Sequence, residues 1–292
     1  YYQWFKTIED RTLVKKENII LRNFFRLMRS GAFGDKSSIE PMSPFKWRRL
    51  YDMVEAQKVV HIFARGVRNH QHNEGLNPPD DVISKAKEYI ENHPQPTTNN
   101  VMQALPDASM SNSMLNHRFQ KIVYKERHSI DTSVESLGLL QIIVFNVDSM
   151  LNRGMSLDGI IRLGQYLRSP SGARLDDVKI DRWLVKLHLV RMAELQGNIL
   201  VEVFGFDPQE VPFVHKADRE AYNITVRAVS YLAKDTAEEW HFRQGRSGFV
   251  QNNSRIMRRN LRRSMRYFVY APIETTSNFL SGLGHSLSEI EE

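Results

Sequence analysis

A chain of 292 residues with 41% apolar and 25% charged side chains is long enough to bury one large core or two ordinary ones. It contains no cysteine, which excludes a disulfide framework, a thiolate nucleophile, an iron-sulfur cluster and every Cys-ligated zinc site, and which fits a reducing, cytoplasmic setting. The formal net charge of +6 is unevenly placed: residues 1–50 carry +6 and 51–240 carry −4, while 241–272 hold eight arginines and no acid, and 273–292 hold four acids and no base.

No uninterrupted apolar run approaches the roughly 18 residues that span a bilayer. The longest candidate, Leu137 to Phe145, already contains Gln141. The first residue is Tyr1 rather than Met, which leads to the expectation that the chain begins inside a longer product.

Apolar residues recur with the helical period along most of the chain, so an all-α fold is expected. Ile20, Leu21, Phe24, Leu27 and Met28 form one stripe of a first helix, and Arg22, Arg26 and Arg29 its other face. A second helix takes Ser43 as N-cap and Pro44 as its first residue, and runs through Trp47, Leu50, Tyr51, Val54, Ile62 and Phe63. A short one from about Asp81 to Glu91 follows Pro78 and Pro79, has acids at its positive end, and stops before Pro94.

From Pro94 to Ser113, 11 of 20 residues are Pro, Ser, Thr or Asn, too polar a stretch to build a core. The expected organisation is therefore an N-terminal helical lobe over 1–93, a polar linker over 94–113 and a C-terminal helical bundle over 114–292. Within the bundle, helices are expected at Met114 to Arg127 and Ser133 to Leu151. Thr132 and Glu135 are spaced as a capping box, and the latter helix, apolar all round, should be buried and central.

Leu157 to Leu167 reads as another helix, ended by the turn Ser169, Pro170, Ser171, Gly172. The long segment Asp176 to Phe204 reads as helix, with minor β as the alternative over Ile199 to Phe204, where β-branched residues concentrate. Pro208 and Pro212 mark a loop. Helices are then expected at Lys216 to Phe242, Ser254 to Tyr270 and Thr275 to Ser288. No repeat of solenoid period is present.

The helix at 254–270 carries the strongest functional signal. Arg255, Arg258, Arg259, Arg262, Arg263 and Arg266 are spaced i, i+3, i+4, i+7, i+8 and i+11, the repeat of one helix face. On a helical wheel they cover about 140°, while Met257, Leu261, Met265 and Phe268 fall within about 80° on another side. That apolar stripe is expected to dock the helix on the core and leave the arginines outward.

Arg243 and Arg246, on a Gly-containing loop just upstream, extend the basic surface. The absence of lysine from 241 to 272 matters, because guanidinium forks pair bidentately with phosphate or carboxylate and stack on rings, whereas an ammonium is a point charge. Tyr267, Tyr270, His241 and Phe242 could add stacking surface.

The expectation is a non-enzymatic interaction or scaffold protein that binds a polyanion, nucleic acid first. The alternative is a structural subunit docking on an acidic protein partner. Anionic lipid ranks last, since a surface-seeking helix needs a free apolar face and docking would use it. The bland reading is that the arginines meet the chain's own acids, Glu289, Glu291 and Glu292 or Asp235, Glu238 and Glu239.

His70, His72 and Glu74 form an H-x-H-x-E string that could hold a divalent metal if the backbone were extended. This supports only a minor alternative, a metal-dependent enzyme; no cofactor or metal is expected. His188, between Leu187 and Leu189, reads as a hydrogen-bonded helix residue. Asp176, Asp177 and Asp181 read as helix-start residues, and Glu238 to His241 point apart on a helix. There is no G-x-G-x-x-G, P-loop, H-E-x-x-H or G-x-S-x-G, and the sequons at Asn223 and Asn252 read as chance matches.

Overall fold

The computed structural model describes residues 18–94, 107–230, 261 and 264–288, with side chains as far as 282. The protein is all-α, and no strand occurs among the described residues. The chain divides into two compact units, Tyr1–Thr97 and Thr98–Glu292.

The first unit holds α1 (Ile19–Phe33), α2 (Pro44–Ala56), α3 (Val60–Asn69) and α4 (Asp80–Asn92). Asn18 starts α1 by accepting the Ile20 N-H at 3.1 Å, and Gly34, in the left-handed region at φ 75°, ends it. The apolar stripe of α1 is buried through Phe24, Phe25, Leu27 and Met28. Its arginine face is matched internally: Arg22 and Arg26 both clasp Glu40, at 2.8 and 2.9 Å.

Two side-chain amides, the buried Asn23 and the exposed Asn77, pin the extended segment between α1 and α2. Asn23 bonds both the N-H and the C=O of Glu40, and Asn77 does the same for Met42 while also accepting the indole N-H of Trp47 at 3.0 Å. Each amide therefore supplies the donor and acceptor that a neighbouring strand would otherwise provide.

The helix expected to run from Pro44 through Phe63 is two helices. The chain turns at Lys58, whose φ is 58°. The N-H of Lys58 bonds Glu55 O at 2.9 Å and that of Val59 bonds Val54 O at 3.1 Å, which is the paired closure of a Schellman motif. With no glycine at the left-handed position, the hydrophobic period carries no mark of this stop.

The second unit comprises α5 (Ser113–His128), α6 (Val134–Asn152), α7 (Leu157–Leu167), a 3-10 turn (Gly172–Arg174), α8 (Asp177–Lys186), α9 (Val190–Phe204), a 3-10 turn (Pro208–Glu210), helical residues at 221–230, 261 and 264–267, and α10 (Pro272–Ser288). The central helix α6 packs against α5, α7, α8, α9 and α10. Among the described residues it is the one helix long and apolar enough to cross a membrane, and most of it is buried inside the unit.

Its polar side chain Asn146 is satisfied within the core, donating to Gly159 O at 3.1 Å and to Gln196 Oε1 at 3.0 Å. Gln196 in turn donates to Ile143 O at 3.2 Å, so a closed amide network fixes the register of α6, α7 and α9.

Several expected boundaries differ. The capping box of Thr132 and Glu135 does not form: Ser133 is the N-cap of α6, its N-H is taken by Glu126 of α5 at 2.8 Å, and Glu135 pairs with Arg174. An acid from a neighbouring helix thus does the work expected of a local one. The segment 176–204 is helical throughout Ile199–Phe204, and it breaks at His188 (φ 55°) with the same two backbone bonds seen at Lys58: His188 N to Val185 O, 3.1 Å, and Leu189 N to Leu184 O, 2.9 Å. His188 is consequently an exposed joint residue rather than a helix residue. The helix expected from Lys216 begins at residue 221.

Candidate functional site

Of the residues expected to bind a polyanion, Arg266 is described, whereas Arg243, Arg246, Arg255, Arg258, Arg259, Arg262 and Arg263 lie outside the described residues. So do Met257, His241 and Phe242, and the acids Asp235, Glu238, Glu239, Glu289, Glu291 and Glu292. The chain is helical at 261 and at 264–267, turns over 268–270, and starts α10 at Pro272. The arginine helix therefore ends at Tyr267, three residues earlier than expected, and Pro272 acts as a helix starter.

The docking face is also different. Leu261, Met265 and Phe268, the stripe expected to be buried, are 44%, 69% and 51% exposed. Tyr267 and Ala271 are buried instead. At about 100° per residue Tyr267 lies well around the helix from Met265, so the helix rests on its Tyr267 edge and leaves the amphipathic stripe outward. Burial removes the Tyr267 ring from the stacking role suggested by sequence.

Polar contacts hold this region in place. The Tyr270 hydroxyl donates to Asp218 Oδ2 at 2.7 Å, and the Asp218 N-H donates to Asn198 Oδ1 at 3.0 Å, which links the turn to α9. Arg191 also stacks over the Tyr270 ring, 5.7 Å from its centroid. Burial and the Asp218 carboxylate both push the Tyr270 phenol up, so it stays a donor.

Beyond the turn, Glu274 is buried and its two carboxylate oxygens accept the backbone N-H groups of Ser111 and Asn112, capping the start of α5 from 162 residues away. Burial raises the Glu274 carboxyl above its ordinary range, the two amides oppose that, and Asp148 adds to it. Asn278 extends the attachment, donating to Asn152 Oδ1 at 2.6 Å. Sequence gave no signal for these anchors, because each joins residues far apart in the chain.

Apolar exposure concentrates here. Of the thirteen large apolar side chains exposed among the described residues, six fall between Leu261 and Leu280: Leu261, Met265, Phe268, Val269, Ile273 and Leu280. Arg266 stands among them, and no carboxylate among the described residues pairs with it.

The His70, His72 and Glu74 string does not converge. His70 is buried and His72 exposed, and no three His, Asp or Glu side chains among the described residues could hold a metal. Burial lowers the His70 ring below the ordinary histidine value, with Asp35 opposing, and its buried Nε2 has no hydrogen-bond partner. His70 is thus a neutral core residue at the end of α3. Asp176 is the N-cap of α8 and accepts the Lys179 N-H at 2.9 Å, whereas Asp181 bonds His215.

No protein-family model, curated protein or solved structure matches the chain.

Proposed function

We propose that the protein is a non-enzymatic helical interaction protein that binds a phosphate-rich polyanion through its arginine segment, with nucleic acid as the first polyanion that the sequence suggests. The observation that carries the reading is the helical spacing of six arginines inside a 32-residue stretch, 241–272, that holds eight arginines and no acid. Helical backbone at 261 and 264–267 supports that spacing where it is described. Elsewhere six of the described arginines, Arg22, Arg26, Arg48, Arg162, Arg168 and Arg174, each meet a carboxylate of the same unit.

Binding of the full chain to short RNA and DNA duplexes at about 50 mM salt, where electrostatic association is strongest, tests the reading. Association that weakens steeply with salt is expected. Failure to bind any polyanion under these conditions, with capture by one acidic protein instead, would transfer the arginine face to the alternative role of a subunit docking on an acidic partner.

A further inference from the structure

The arginine segment pairs its charge with apolar surface in a way that phosphate binding alone does not use. A nucleic-acid backbone offers anionic oxygens and, in the grooves, base edges; Leu261, Met265 and Val269 gain little from either. Their exposure is an unrecovered hydrophobic cost in the free protein. Of the two tyrosines that could have stacked on a base, Tyr267 is spent on docking, and Tyr270 is held by Asp218 and Arg191.

We infer that the surface formed by Leu261, Met265, Phe268 and Val269 beside Arg266 seats on an anionic lipid bilayer, its guanidinium charge meeting headgroup phosphates and its apolar side chains entering the boundary beneath them. This names the polyanion of the function proposed above and rests on that reading.

The exposed side chains supply the apolar requirement of an interfacial helix, and Arg266 with the arginine-rich sequence around it supplies the charge. Docking through Tyr267 and Ala271 leaves the stripe free, where docking through the stripe would have consumed it. On a helical wheel Leu261 and Met265 lie about 40° apart and Arg266 within about 100° of Met265, and Phe268 and Val269 follow in the turn that ends the helix, so charge and apolar surface adjoin.

The charge complementarity is one-sided over a long stretch, because 241–272 contains no acid to repel an anionic plane. Either signal alone is weak at a membrane, and binding grows with buried apolar area plus electrostatic attraction. A bilayer matches both without a shape-complementary partner.

The experiment is flotation of the full chain with vesicles of phosphatidylcholine alone and of phosphatidylcholine with about a quarter phosphatidylglycerol, beside a short RNA duplex as the competing polyanion. The expected result is association with the anionic vesicles and little with the neutral ones. In the double variant Met265→Ser with Phe268→Ser, vesicle affinity should fall by about tenfold or more, while duplex affinity stays unchanged. Both positions are exposed, so the thermal midpoint should hold and report that the variant is folded.

Duplex binding without vesicle binding would overturn the lipid inference and leave polyanion binding standing. Binding of neither would overturn both. Equal association with neutral vesicles, or a double variant that floats as well as the parent, would also overturn it. So would self-association lost in the double variant without any vesicle binding, since the surface would then join two copies of the chain.

Discussion

Gly31 of α1 and Gly66 of α3 meet at a helix crossing with no side chain between them: a β-carbon on Gly31 would lie 2.9 Å from the Gly66 nitrogen and overlap the carbonyl oxygen of Ile62, and one on Gly66 would overlap that of Leu27. Backbone, not a flexible side chain, is what each would strike. Gly31→Ala and Gly66→Ala should each destabilise the first unit by about 1–3 kcal/mol or more, because the helices must separate to admit one carbon. Native-state hydrogen exchange of α1 amides would report the loss; protection unchanged from the parent would contradict the crossing.

The two left-handed joints make an opposite prediction. Lys58 and His188 each occupy a backbone conformation that a β-carbon disfavours, at the same position of a Schellman closure. Lys58→Gly and His188→Gly should each stabilise the fold by about 0.5–1 kcal/mol, after the greater freedom of glycine in the unfolded chain is counted. Thermal midpoints of the two variants would rise; a fall in both would place these residues outside the left-handed region.

Glu274 tests how α10 is attached. Its carboxylate satisfies two backbone donors at the start of α5, so Glu274→Ala leaves them without that acceptor and should cost about 1–3 kcal/mol. Exchange in α10 and the first turn of α5 would quicken together. Quickening confined to α10 would show that α5 does not depend on this cap.

Glu40 sets a pH dependence in the first unit. The bonded Arg22 guanidinium holds its carboxyl below the ordinary value of 4.5, burial opposes this, and the charges of Arg22 and Arg26 add to the lowering. A depressed carboxyl contributes stability that is fully present above its unfolded value and is lost as pH falls through the lower folded value. Because the pair is about one third exposed, at 31% and 34%, the contribution should be about 1 kcal/mol or less. Glu40→Gln should remove this part of the acid sensitivity below 4.5; an unchanged acid profile would show that other carboxylates set it.

The helical period makes the all-α class and the bounds Leu157–Leu167 legible in the sequence alone, because buried stripes repeat visibly along the chain. It hid the joints at Lys58 and His188, where neither residue is one of the glycines that normally mark a left-handed stop. Partners such as Glu126 for Ser133, or Glu274 for Asn112, were illegible because a cap can come from any element that folds alongside.

The same limit decided the arginine segment. Spacing showed that Leu261, Met265 and Phe268 share a face, but only packing shows which face docks, and Tyr267 does so instead. That reversal is what brings lipid forward among the polyanions.

The salt dependence of polyanion binding, with and without Arg258, Arg262 and Arg266, bears most directly on the central claim. If these guanidinium groups each neutralise a phosphate, log affinity should fall linearly with log salt, and the triple alanine variant should flatten that slope by about 2 to 3 units. A slope identical in parent and variant would contradict the account, since the arginines would then contribute no phosphate contacts.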